Sequence, residues 1–298
     1  MKILVVGGAG MIGGRTALHL KAKGHDVTIA GRNPPLPDTP LGALPFVRVN
    51  YMNVDPAVFA GFDALVFSAG NDVRHIPKGE DDGYWHRVNS VGIPRFFAAA
   101  KAAGIRRAVN IGSYYPQAAP ELVEGNAYIR SRRDSADGVA ALADETFVAC
   151  SVNAPFVVGT VPGLPLPMFI AYTQYAQGKF APMPDTVPPG GVNFISTQSL
   201  AEAVEGALER GAPGASYLVG DENLTWQAYF GAFFEEAGRE KPQIADQEHP
   251  LLPDSAMPFG RGNTLFYEPD AKEQALLGYR RNDIRPAIAE IVAQFKDA

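Results

Sequence analysis

The sequence predicts an α/β protein: a doubly wound parallel sheet with a smaller, partly discontinuous C-terminal lobe for a substrate. Three observations carry this. The first 35 residues spell a strand, a glycine-rich turn, a helix and a second strand. Short apolar segments of strand length then recur, alternating with helical or turn-rich stretches. After Asn153 the composition shifts to a proline-rich passage and then to amphipathic helices.

In chain order, Lys2–Val6 reads as a short buried strand. Glycines at 7, 8, 10, 13 and 14 follow it, and Leu18, Leu20 and Ala22 mark a helix that Gly24 closes. Asp26–Ala30 is the second strand, ended by Gly31-Arg32-Asn33-Pro34-Pro35. Further strands are expected at Phe46–Val49, Ala64–Phe67, Ala108–Ile111, Phe147–Val152 and Tyr217–Val219. The prolines between Pro155 and Gly191 deny that stretch long helices or central strands, except around Met168–Gln177. Helices are expected at Ser199–Arg210, Thr225–Gly238 and Asp283–Phe295, the last preceded by an extended piece at Thr264–Tyr267. Residues 1–155, with 192–222 returning to them, then form a dinucleotide-binding domain; 156–191 and 223–298 form the substrate lobe.

Composition narrows the function classes. The chain has 298 residues, 46% apolar and 19% charged, and its apolar runs are cut well before membrane-spanning length. With 26 Lys+Arg against 32 Asp+Glu and no basic run, nucleic acid is not expected as a partner. The lone Cys150 cannot form an internal disulfide, and only four apolar residues separate Met1-Lys2 from the glycines, which is no signal peptide; the cytoplasm is the expected compartment. The five histidines show no ligand spacing, so no metal is expected.

The spacing Gly7-x-x-Gly10-x-x-Gly13 between strand and helix lets the backbone turn tightly and a pyrophosphate approach without a Cβ in its way. The free N–H groups at the helix start, around Met11 and Ile12, and the helix dipole would then face the phosphates. NAD-specific sites usually carry an acid at the end of the second strand. Arg32 stands there instead. A guanidinium pairs with a 2′-phosphate through charge-assisted hydrogen bonds, so NADP(H) is expected over NAD(H), with Arg15 as a second candidate for that pocket.

Beyond the glycines, several runs carry a likeness: Phe67-Ser68-Ala69-Gly70, Val88-Asn89-Ser90-Val91-Gly92, Ile111-Gly112-Ser113, Tyr128-Ile129-Arg130-Ser131-Arg132 and Asn153-Ala154-Pro155-Phe156-Val157-Val158-Gly159. Together they resemble the extended short-chain dehydrogenase/reductases, within the NAD-dependent epimerase/dehydratase superfamily, over nearly the whole chain. The resemblance implies a Rossmann sheet with Ser68, Ala69, Gly70 and Pro155 at the coenzyme. It also implies Tyr128 as the acid/base at the substrate oxygen, Ser113 as a hydrogen-bond partner of that oxygen and Asn89 as local support. The family's lysine is replaced here by Arg132, which keeps the charge but is longer, planar and differently hydrated. Members of the family often dimerise through helices flanking the fourth and fifth strands, so a homodimer is a further expectation.

The chemistry is consistent with that likeness. A phenol, with an ordinary pKa of about 10, must be tuned toward working pH to act as acid or base. A fixed cation beside it favours the phenolate, and Tyr128 and Arg132 sit four apart on one helix face. Tyr114 and Tyr115 follow Ser113 directly; pocket wall is the expected role, with replacement of Tyr128 as the alternative. His75 and His86 flank the loop 71–83 and read as surface or hydrogen-bonding residues.

Substrate-facing candidates are Tyr114, Phe156, Met168, Phe169, Phe194 and Trp226, mostly apolar, and Lys179 is the only strong cation between Pro155 and Gly191. A partly apolar carbonyl or alcohol compound is therefore expected more than a bare sugar. The leading reading is an NADPH-dependent reductase. Its alternatives are a nucleotide-sugar-type epimerase or dehydratase, and a non-catalytic dinucleotide sensor.

Overall fold

The computed structural model describes residues 1–71, 76–81 and 83–298. Strands β1 (Lys2–Val6), β2 (Asp26–Gly31), β3 (Phe46–Arg48), β4 (Ala64–Phe67), β5 (Arg107–Ser113) and β6 (Val148–Ala154) belong to the central sheet. Strands β7 (Phe156–Val158), β8 (Thr186–Val187) and β9 (Gly191–Ser196) lie outside it, and β10 (Ser216–Leu218) completes it. The order is β10-β6-β5-β4-β1-β2-β3, parallel throughout. Order reverses between β1 and β4. In doubly wound sheets a ligand lies at that point, beyond the carboxyl ends of the strands.

Burial on both faces explains the near-continuous apolar runs of these strands. In β1, Ile3 and Val5 join one core with Ala17 and Leu20 of α1 (Met11–Ala22), while Leu4 and Val6 join the core on the opposite face. On that opposite face a short turn, α2 (Gly83–Trp85), passes through a π-helical segment, His86–Val91, into α3 (Gly92–Ala102). After β5 come α4 (Tyr115–Ala118) and α5 (Ala127–Ala140), whose first turn is capped by the Asn126 side chain accepting from Ile129 N–H at 3.1 Å. Helix α7 (Thr197–Arg210), reached after α6 (Pro167–Ala176), covers the α1 side of the sheet.

The C-terminal lobe is built on a sheet of its own. Strand β9 pairs with β7, with β11 (Glu222–Thr225) and with β13 (Thr264–Leu265), while β12 (Gln243–Ile244) pairs with β8. Helix α6, α8 (Trp226–Glu236) and α10 (Ile284–Phe295) enclose an aromatic core of Phe169, Tyr172, Tyr175, Phe194, Trp226, Tyr229, Phe230 and Phe233. Helix α9 (Ala271–Leu277) leans on α7. Of the segment 192–222, α7 and β10 return to the large sheet, but β9 lies in the small one. Among the described residues no helix is long and apolar enough to cross a membrane.

Candidate active site

The glycine turn is shaped for a coenzyme phosphate. Gly7 has φ +82°, and a Cβ there would stand 2.7 Å from the Ser68 carbonyl oxygen. A Cβ on Gly13 would overlap the Gly7 carbonyl, so strand and helix meet only because both lack side chains. Gly10, exposed, is the N-cap of α1, with no side-chain cap and no acid in the first turn. The N–H groups that open the helix at Met11 and Ile12 thus have no intrahelical acceptor, the arrangement that suits an anion. The residues present fit a dinucleotide.

At the end of β2, exposed Arg32 is joined by a residue that sequence reading missed. Arg48 sits opposite Gly31 in the β2–β3 register and donates from Nη1 to the Arg32 carbonyl at 2.8 Å. Two guanidinium side chains therefore emerge from neighbouring strand ends. The signal was an arginine closing the third strand. Arg15 is a correction: its Nε donates to Gln198 Oε1 at 3.1 Å and its Nη2 pairs with Glu290 at 3.3 Å, so it ties α1 to α7 and α10 instead of serving Arg32.

At the carboxyl end of the sheet, Ser113 ends β5, buried, and two contacts from α5 bracket it. Two residues earlier, the Ile111 carbonyl accepts from Arg132 Nη2 at 2.9 Å. Two residues later, the ring of Tyr115 lies 6.5 Å from that of Tyr128, which also meets Trp85 edge-on at 5.4 Å. The Arg132 guanidinium is 6% exposed, its Nε has no hydrogen-bond partner, and no carboxylate among the described residues pairs with it. Its Nη1 lies against Gly70, the last residue of the Ser68-Ala69-Gly70 turn after β4.

Asn89, fully buried on the π-helical segment, accepts from Asn71 N–H at 3.3 Å and donates to Asn71 O and Ser131 Oγ, each at 3.1 Å. Ser131 in turn donates to the Tyr128 carbonyl at 2.7 Å. The support role expected of Asn89 has a physical route: it links the turn after β4 to the helix that carries the phenol. Tyr51 joins the same region, donating to Val88 O and accepting from Asn71 Nδ2 at 3.0 Å; burial pushes its phenol up to about 12. The Tyr114 and Tyr115 rings lie 4.3 Å apart, and burial holds both phenols well above the usual tyrosine range. That disfavours either as the acid/base. His86 is exposed; His75 lies outside the described residues.

Phe194 and Trp226 are corrections. Both are fully buried in the lobe's core, with Phe194 stacked on Tyr229 at 4.5 Å, because strand alternation turns Phe194 toward α8. Phe169 is buried there too, and Tyr114 is 4% exposed. Pro155 is buried between β6 and β7. The half-buried side chains packed on that core include Met11, Tyr115, Phe156, Met168, Phe259 and Tyr267. The lobe's arginines are neutralised: Arg239 by Asp185, Arg261 by Asp254, Arg280 by Glu202, Arg281 by Glu268 and Arg285 by Glu235. Away from the cleft, ligand atoms of His25, Glu205 and Glu209 lie within 4.8 Å of one another, a grouping no sequence spacing revealed. Glu205 there already meets His19 at 2.8 Å and Lys23 at 3.6 Å.

Comparison with solved structures supports the architecture over the full chain. A UDP-glucose 4-epimerase from Thermus thermophilus, in complex with NAD, shares 20% identity at TM-score 0.76 with all of both chains covered. A UDP-glucuronic acid 4-epimerase from Bacillus cereus, also with NAD, shares 15% at 0.73, covering 99% of each chain. The UDP-N-acetylglucosamine 4-epimerase of Bacillus cereus shares 15% at 0.75, covering 100% of this chain and 97% of that one. At such identities the likeness carries the fold. No curated protein matches the sequence. The model of the NAD-dependent epimerase/dehydratase family, however, matches residues 3–187. With well over half of its length covered, the glycine turn and the Ser113, Tyr128 and Arg132 positions included, the chain belongs to the NAD-dependent epimerase/dehydratase family.

Proposed function

We propose that the protein is a nicotinamide-dinucleotide-dependent enzyme of the epimerase/dehydratase type, acting at an alcohol carbon of a substrate with apolar surface. The observation that carries this reading is the bracketing of Ser113 by Arg132 and Tyr115, with the phenol of Tyr128 on the same helix as the guanidinium. A nicotinamide coenzyme bound over the glycine turn would supply the hydride acceptor. Tyr128 takes the proton of the substrate hydroxyl as its carbon is oxidised and returns it when the carbonyl is reduced. Ser113 donates a hydrogen bond to the same oxygen, and the buried guanidinium favours the phenolate that the first step needs. Met11, Tyr115, Phe156 and Met168 exclude water from the reacting carbon.

This reading reverses the order of preference that composition suggested. Family membership favours transient oxidation of the substrate over net reduction of a carbonyl. A second reading, an NADPH-dependent reductase, retains support from Arg32 and Arg48 and from the pairing of every lobe arginine named above, which leaves those side chains poorly placed to grip a diphosphate.

Tyr128→Phe tests the shared chemistry. It should abolish turnover while coenzyme affinity stays within about twofold, since one phenol oxygen is removed from the reacting centre and none from the phosphate site. Wild-type turnover in that variant would remove the mechanism. Coenzyme that stays bound through purification, with no NADPH consumed across a carbonyl panel, favours the epimerase/dehydratase reading; steady NADPH oxidation favours the reductase.

A further inference from the structure

The exchange of lysine for arginine at position 132 has a structural counterpart at position 70. A lysine presents one nitrogen; Arg132 presents a planar fork whose arms reach two different strand ends. Nη2 is fixed on the Ile111 carbonyl of β5 at 2.9 Å. Nη1 occupies the volume in which a side chain on Gly70, beyond β4, would begin. Gly70 is not among the glycines with positive φ, so its backbone conformation would accept an alanine. Apart from the flanking residues, the three atoms nearest to the place its Cβ would take all belong to the Arg132 tip: Nη1, Cζ and Nη2.

We infer that Gly70 is a positioning residue coupled to Arg132: it is glycine because the guanidinium, not the backbone, claims that space. The pair replaces the family's lysine as the fixed charge beside Tyr128. With Nη2 bonded to Ile111 and Nη1 packed against Gly70, Nε–H remains as a buried donor without a partner among the described residues, available to an acceptor on a bound coenzyme. A buried guanidinium with no carboxylate partner among the described residues is costly, and a ligand acceptor offsets part of that cost. The coenzyme contact rests on the coenzyme reading above; the coupling of 70 to 132 does not.

The test is a double-mutant cycle of wild type, Gly70→Ala, Arg132→Lys and the double variant. Two readouts are taken from each purified protein: the melting temperature without ligand, and the Kd for NADH and NADPH by fluorescence titration. The collision involves a side-chain tip and no backbone, so Gly70→Ala is expected to fold with the guanidinium displaced. In the arginine background it should lower the melting temperature and weaken the tighter-binding coenzyme about tenfold, the equivalent of one charge-assisted hydrogen bond. In the lysine background the same alanine should change affinity less than about twofold and leave the melting temperature level or higher. Equal losses in both backgrounds would mean that the alanine meets the coenzyme itself, and would overturn the coupling. So would the absence of any effect in either. Failure of wild type to bind both coenzymes would overturn the proposed function, and the melting temperatures alone would then decide the pair.

Discussion

On the NADPH reading, coenzyme choice would turn on two side chains at neighbouring strand ends, Arg32 and Arg48. Arg48 holds the Arg32 carbonyl, so removing either guanidinium should disturb the same patch. Arg32→Ala removes charge-assisted hydrogen bonds to a 2′-phosphate, each worth about 1.5–3 kcal/mol, so NADPH affinity should fall at least about tenfold. NADH lacks that phosphate, and its affinity should stay within about twofold. Arg48→Ala should act in the same direction and more weakly, because it also frees the Arg32 carbonyl. Parallel titrations check both, and equal loss for the two coenzymes would count against any selective role for these arginines. Sequence reading found Arg32 because the second strand and its end are legible from local pattern. It misassigned Arg15 because Gln198 and Glu290 approach from 183 and 275 residues away, beyond any local signal. Phe194 and Trp226 failed for a related reason: an aromatic in a lobe sequence states its chemistry, while the strand pairing of β9 for Phe194, and the packing of α8 for Trp226, decide that they face the core.

Among the elements, the parallel sheet was readable almost strand for strand, since its inner strands are buried on both faces and so carry their own apolar runs. The small sheet was less so: the extended piece expected at Thr264–Tyr267 holds β13, but β7 and β11 have three and four residues and are defined by their pairing with β9, and the sheet joins residues from four separate parts of the chain. The π-helical turn His86–Val91 was equally hidden, for its sequence is ordinary helix. Such turns often occur at functional sites, and here the turn delivers the Asn89 amide to Asn71 and Ser131. Asn89→Ala would leave Asn71 N–H and O and the Ser131 hydroxyl short of partners in a buried setting. A loss of at least about 2 kcal/mol in unfolding free energy is expected, measured by urea denaturation. Turnover should fall as well, since the α5 register of Tyr128 loses its tie to the β4 turn. A variant as stable as wild type would mean that the network carries no weight.

Across the whole molecule the burial of acidic hydroxyls and the single thiol makes alkali the vulnerable direction. Eight of the eleven tyrosines have phenols raised above 10, chiefly by desolvation: Tyr51, Tyr114, Tyr115, Tyr175, Tyr217, Tyr229, Tyr267 and Tyr279. The Cys150 thiol, buried beneath α7, is likewise pushed up, from 9.0 to about 12. A group whose pKa is higher folded than unfolded binds more protons in the folded state. Its contribution is therefore complete below the unfolded pKa and declines as pH rises toward the folded value. For Cys150 the decline begins near 9, and for Tyr51 near 10, each running to about 12. These residues span both cores, so their contributions weaken together while the chain remains cooperative. The melting temperature should hold below pH 9 and then fall progressively. Tyrosinate absorbance near 295 nm should rise in step with the loss of helical circular dichroism, because most of these phenols ionise only once the aromatic core of the second lobe opens. Ionisation of most tyrosines by pH 10.5 with the circular dichroism intact would contradict the burial described here.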